Sequence, residues 1–134
     1  MMVLLDASLI IAVYNKEDVH YNNALLVWRD IENGKYGEYV STDFIFNEVV
    51  GVFNRKYGKK RAMEIGNFII NTIPLFSIDA VFLAKSWDFF NETKLQLNPV
   101  DCSTAIIVDT LDCEFLATFD KEFKKLDFVE VVGC

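Results

Sequence analysis

Short apolar runs alternate along this chain with stretches of helical spacing, and that alternation constrains the fold more than any other feature. Met2–Leu5, Tyr39–Ser41, Leu75–Ile78, Cys113–Thr118 and Phe128–Val132 read as strands. Between them the spacing predicts helices over Leu9–Tyr14, His20–Ile31, Asp43–Tyr57 and Lys59–Ile73, a fifth from Asp79 to about Asn91, and a sixth from Pro99 to about Asp112. In the second helix Ala24, Leu25, Val27, Trp28 and Ile31 share a face, so Trp28 is read as core, and Asn33-Gly34 ends the helix. Gly58 divides the third and fourth helices into a hairpin, and Pro74 ends the fourth. This order predicts one α/β domain over residues 1–134, a three-layer fold with a mainly parallel central sheet of short strands flanked by helices.

Composition narrows the function classes. A chain of 134 residues buries roughly two thirds of its unfolded surface, and a 52% hydrophobic content supports a substantial core. The longest apolar run near the start, Leu9–Tyr14, is far too short to span a membrane, and no basic leader precedes it. A soluble, cytoplasmic protein is expected. Cys102, Cys113 and Cys134 form no CxxC pair and read as reduced thiols. His20 is the only histidine, which excludes His-based metal sites and Ser-His-Asp triads. The net charge of −7 opposes nucleic-acid binding overall. Yet Arg55, Lys56, Lys59, Lys60 and Arg61 concentrate positive charge in one short window, and Lys121, Lys124 and Lys125 form a second group. Each group reads either as a solvated helix end or as a contact for a polyanion.

Four acids stand where chemistry could use them. Asn98 and Pro99 read as N-cap and first helical residue, which puts Asp101 in the first turn. Asp120 follows the Cys113–Thr118 strand, and Asp6 follows the first strand, with Ser8 beside it. Asp6, Asp101 and Asp120 can each be a helix cap or a ligand. Glu48 is different: Phe44, Ile45, Gly51 and Val52 lie one turn away on its face, so its carboxylate sits on an apolar stripe. A carboxylate there needs a cation, either an arginine or a metal. If the four converge, like charges at close range require a counter-cation. An all-oxygen donor set suits Mg²⁺ or Mn²⁺. Asp109 lies about 12 Å along the helix from Asp101 and reads as a solvent or interface residue instead.

Together these segments resemble the PIN-domain family, the metal-dependent ribonucleases that include the VapC toxins. The resemblance covers nearly the whole chain. It rests on Asp6-Ala7-Ser8 after the first strand, Glu48 within Phe46-Asn47-Glu48-Val49-Val50, Asp101 opening a helix, and Thr118-Phe119-Asp120 after a strand. It implies that Asp6, Glu48, Asp101 and Asp120 hold one or two Mg²⁺ or Mn²⁺ ions, with Ser8 and Thr118 supporting that shell. It also implies hydrolysis of RNA phosphodiesters by an activated water, a homodimer, and inhibition by a small antitoxin. Ala7 stands where the family usually has threonine, and Cys102 where it usually has alanine; neither change removes a ligand.

Other classes fit less well. An RNA-processing PIN nuclease and a non-catalytic PIN scaffold share the fold, but no acid is lost as a scaffold would allow. A receiver-type phosphoacceptor wants paired acids after the first strand, and a haloacid-dehalogenase-type phosphatase wants a second Asp where Ser8 stands. Arg55, Lys56, Lys59, Lys60 and Arg61 are the expected RNA-backbone contacts.

Overall fold

The computed structural model describes residues 1–134, and its frame is one all-parallel sheet. The strands are Met2–Leu5 (β1), Glu38–Thr42 (β2), Leu75–Phe76 (β3), Phe115–Ala117 (β4) and Glu130–Val132 (β5), in the spatial order β3-β2-β1-β4-β5. Val3 pairs with Tyr39 on one side and Phe115 on the other, which makes β1 the central strand. Val3, Leu4 and Leu5 have no exposed surface, as a strand covered on both faces requires.

Parallel neighbours need long crossovers, and helices supply most of them. Ala7–Tyr14 (α1) and Tyr21–Glu32 (α2) join β1 to β2. Asp43–Tyr57 (α3) and Lys59–Thr72 (α4) lead to β3, and Ala80–Glu92 (α5) and Pro99–Thr110 (α6) lead to β4. A 3₁₀ helix, Lys121–Lys125, precedes β5. The helices flank the sheet in a three-layer α/β fold, with α3 packed on α4 and α5 on α6.

Local chemistry sets the helix limits. The Thr42 hydroxyl accepts from Ile45 N at 3.1 Å to start α3, Arg55 and Lys56 complement the dipole in its last turn, and Gly58 at φ 90° ends it. Three predicted strands are shorter than their apolar runs. Asp112 turns through φ 53° and Cys113 N still bonds back to Val108 O at 2.9 Å, so β4 begins only at Phe115. Ser77 and Ile78 leave β3 because Ile78 N donates to the Asp43 carboxylate at 3.1 and 3.2 Å. The last run also narrows, to Glu130–Val132.

The chain builds outward from β1 through β2 to β3, then returns to place β4 on the other side of β1. That reversal opens a crevice at the carboxyl ends of β1 and β4, the usual ligand position in open parallel sheets. The residues that follow those two ends are Asp6 and Thr118-Phe119-Asp120.

Packing supports this edge. Fully buried Phe53 meets Tyr14 and Tyr57 edge-on, with ring centroids 6.3 and 5.4 Å away. Trp28 packs on Tyr39 and Phe68, in keeping with a core role. All three cysteines are free thiols. No helix is long and apolar enough to cross a membrane. Gly133, just past β5, has φ 117°, and a Cβ there would stand 2.6 Å from Thr118 O. Gly133→Ala should therefore destabilise the protein by about 1–3 kcal/mol, read from urea unfolding; unchanged stability would show that this approach is not a constraint.

Candidate metal centre

Asp6 occupies the N-cap position of α1, yet its side chain makes no capping bond. The carboxylate turns instead to the neighbouring strand end. Its Oδ2 accepts from the Thr118 hydroxyl at 2.7 Å and from the Ser8 hydroxyl at 3.2 Å. Ser8 and Thr118 hydroxyl oxygens are themselves 3.1 Å apart. Since Thr118 spends its one proton on Asp6, the Ser8 proton divides between Asp6 and Thr118. The backbone completes the arrangement: Phe119 N donates to Ser8 Oγ and Asp120 N to Thr118 Oγ1, both at 3.0 Å. Ser8 and Thr118, the two residues expected beside the acids, both donate to the Asp6 carboxylate.

Asp101 and Asp120 are caps as well as members of the cluster. Asn98 and Asp101 form a reciprocal capping box: Asp101 N donates to Asn98 Oδ1 at 2.8 Å, and Asn98 N donates to Asp101 Oδ2 at 3.1 Å. Asp120 Oδ1 accepts from Glu122 N at 3.0 Å and starts the 3₁₀ helix. Each cap engages one carboxylate oxygen and leaves the other unengaged. Glu48, on the second turn of α3, has a buried Oε2 with no hydrogen-bond partner. Of the two cations expected for Glu48, an arginine or a metal, the arginine is not there: no ion pair joins Glu48 to any base.

Electrostatics ties the four together. Burial pushes the Glu48 carboxyl up to about 7, and the charges of Asp6 and Asp101 add to it. Burial raises Asp101 to about 6 against the Asn98 N–H, with Asp6 and Asp120 contributing. Asp6 is raised chiefly by burial and further by Asp120, while the Thr118 hydroxyl, the Ala7 N–H and the Ser8 hydroxyl hold it down. The acids of four segments are thus linked, Glu48 to Asp6 and Asp101, and Asp6 and Asp101 to the charge of Asp120. They do not close into a tight cage, since no three such side chains stand at mutual ligand spacing. Like charges without a cation have no reason to approach further. The residues nonetheless fit a hard divalent cation: every donor is oxygen, and Glu48 Oε2 lacks any other partner.

The other expectations fall around this centre. Asp109 is exposed, far along α6. Arg55, Lys56, Lys59 and Lys60 are exposed at the α3–α4 turn, with Arg55 about 10 Å along the axis from Glu48. Arg61 is half-buried, its guanidinium 4.9 Å from the Tyr57 ring centre and 5.5 Å from that of Phe53. In the second basic group Lys125 is tied to Glu122 at 2.8 Å, while Lys121 and Lys124 have no acidic partner. Sequence reading passed over His20, whose ring lies flat on Phe119 with centroids 4.4 Å apart; a lone histidine before a helix carries no signal of that contact.

A parallel sheet with helices on both faces and a strand-order reversal at β1 defines the class of open α/β domains. Within that class the chain belongs to the PIN-domain family, whose profile, described as PIN domain, matches residues 3–129. No curated protein matches it significantly in sequence. Among solved structures it is similar to VapC20 of Mycobacterium tuberculosis, described as a Sarcin-Ricin loop cleaving toxin. That match has TM-score 0.85 and 18% identity over 96% of this chain and 98% of that one. It is also similar to VapBC2 of Rickettsia felis bound to a promoter DNA fragment, with TM-score 0.73 and 15% identity over 98% of both chains. DNA-bound VapBC of Salmonella typhimurium matches with TM-score 0.72 and 12% identity, over 98% of this chain and 97% of that one. These likenesses show the three-layer fold.

The raised carboxyls have a consequence for stability. Unfolded, Glu48 ionises near 4.5; folded, near 7. The folded state then binds more protons across that window, so stability present at low pH is lost as pH rises through it. Metal-free protein should melt several degrees higher at pH 5 than at pH 8, and Glu48→Gln should shrink the difference. An equal or higher melting point for the parent at pH 8 would contradict the cluster.

Proposed function

We propose that this protein is a divalent-metal-dependent endoribonuclease and the toxin of a toxin–antitoxin pair. The observation that carries the metal reading is the buried, partnerless Glu48 Oε2 among three further carboxylates at the sheet's switch point. Membership of the PIN family and the likeness to VapC20 support the nuclease and toxin readings.

Asp6, Glu48, Asp101 and Asp120 would hold Mg²⁺ or Mn²⁺. A bound ion of this kind lowers the pKa of water and offsets charge on an attacked phosphodiester. The chain's own residues do the positioning. Thr118 and Ser8 hold the Asp6 carboxylate in one orientation through their hydroxyls. The capping box does the same for Asp101, and the Glu122 N–H for Asp120. Three of the four acids therefore have their orientation set before RNA arrives, which lowers the cost of assembling the reactive geometry. Lys121 and Lys124 beside Asp120, and the cations of the α3–α4 turn, offset the overall acidity for a polyanion.

Two partners belong to this reading. The VapBC neighbours support a small antitoxin protein. A homodimer is supported by α5, where Leu83 and Trp87 remain 52% and 56% exposed beside Pro99 and Val100. Such a charge-poor apolar face suits self-association of an acidic chain.

Thermal unfolding against Mn²⁺ tests the metal site without knowledge of the RNA. A ligand of the folded state at a hundredfold excess over its Kd adds about 2.7 kcal/mol. Wild type should show saturable stabilisation, and Asp101→Asn should lose most of it together with cleavage of a mixed RNA pool. Equal stabilisation of both proteins would place the metal elsewhere; no effect at millimolar Mn²⁺ would favour a non-catalytic scaffold.

A further inference from the structure

His20 has no structural employment. It precedes α2 as the N-cap residue, but its side chain makes no capping bond. Its backbone is held by Asp18 Oδ1, which accepts from His20 N at 2.8 Å, while its ring enters no hydrogen bond. The residue is exposed, so core packing does not explain it. What fixes the imidazole is Phe119: the rings are 4.4 Å apart and within 3° of parallel. Phe119 is itself held on several sides. It is 8% exposed, its N–H is held by Ser8 Oγ at 3.0 Å, and its ring edge passes close to Gly133. A buried ring thus carries a second, exposed ring flat on top of it.

The place of that stack matters. Phe119 lies between Thr118, which holds Asp6, and Asp120, and its N–H is held by Ser8, which also donates to Asp6, so the imidazole stacks on a residue tied to the acid cluster through its backbone. Positive charge follows directly: Lys121 and Lys124 stand in the 3₁₀ helix that Asp120 starts, and neither has an acidic partner. A flat aromatic face beside unpaired cations and a phosphate-directed site matches the chemistry of an unstacked nucleotide, whose base has a π-face and whose backbone is anionic.

We infer that the outer face of His20 is the stacking platform for one nucleobase of single-stranded RNA lying across the acid cluster. The inference rests on the RNA reading above. Stacking gives affinity and register with little dependence on base identity, since every base has a π-face. His20 is a substrate-binding residue in this scheme, and Phe119 positions it.

The test is fluorescence of 2-aminopurine placed singly along a short single-stranded RNA, titrated with full-length protein. The Asp101→Asn background with EDTA keeps the strand intact. The expected result is quenching at one position. His20→Ala should abolish it and weaken binding about fivefold to a hundredfold, whereas His20→Phe should keep both. Circular dichroism melts verify folding of each variant. Binding and quenching by His20→Ala equal to the parent would overturn the platform alone. His20→Phe as weak as His20→Ala would also overturn it, because the imidazole would then act as a hydrogen-bonding group. A folded parent that binds no RNA would remove the RNA reading and the platform with it.

Discussion

The Thr118 hydroxyl reaching Asp6 Oδ2 at 2.7 Å is the contact on which this molecule's functional edge depends. It joins residues far apart in sequence, and it forms only because β1 and β4 pair in parallel, with Leu5 opposite Ala117. The same pairing brings Asp6 N to Ala117 O at 3.0 Å. Ser8 then sits in the first turn of α1 to share the bond, and the backbone of Phe119 and Asp120 closes on the two hydroxyls. A buried carboxylate with fewer donors would lose its proton preference or its place. Fixing Asp6 thus fixes the strand ends, and with them the position of Asp120.

The site is held against its own electrostatics. Asp6 is almost fully buried, Glu48 and Asp101 are partly so, and the charge of Asp6 raises the pKa of both the others. Apolar residues at these positions would make a more comfortable core. The fold accommodates the strain by satisfying one oxygen of Asp6, Asp101 and Asp120 locally and leaving Glu48 Oε2 without any partner. Local rules broken at one place inside an otherwise consistent fold are the mark of a functional centre. The acids also sit where a parallel sheet reverses strand order, so position and charge agree.

Much of this was legible in the residues. The limits of β1 and α3 follow directly from composition and caps, and Asn98-Pro99-Asp101 reads as the helix start it is. Glu48 stood out because apolar neighbours one turn away left its carboxylate no polar face. For Asp101 and Asp120 the capping reading holds and leaves room for the ligand reading, since a carboxylate has two oxygens and a cap uses one. For Asp6 the capping reading fails: its side chain makes no capping bond, and its Oδ2 takes the hydroxyls of Ser8 and Thr118. Strand ends were less legible than helix starts: the Cys113 backbone and the Asp43–Ile78 bonds, which shorten β4 and β3, are set by tertiary contacts. The His20–Phe119 stack left no trace in spacing for the same reason.

The central claim is that the four acids form one divalent-cation centre. Anomalous diffraction from crystals grown with Mn²⁺ tests it most directly. The account predicts a peak bounded by Asp6, Glu48, Asp101 and Asp120, with Glu48 Oε2 among the ligand oxygens. No peak there, or one only at other surface carboxylates such as Asp109, Asp112 and Glu114, would contradict it.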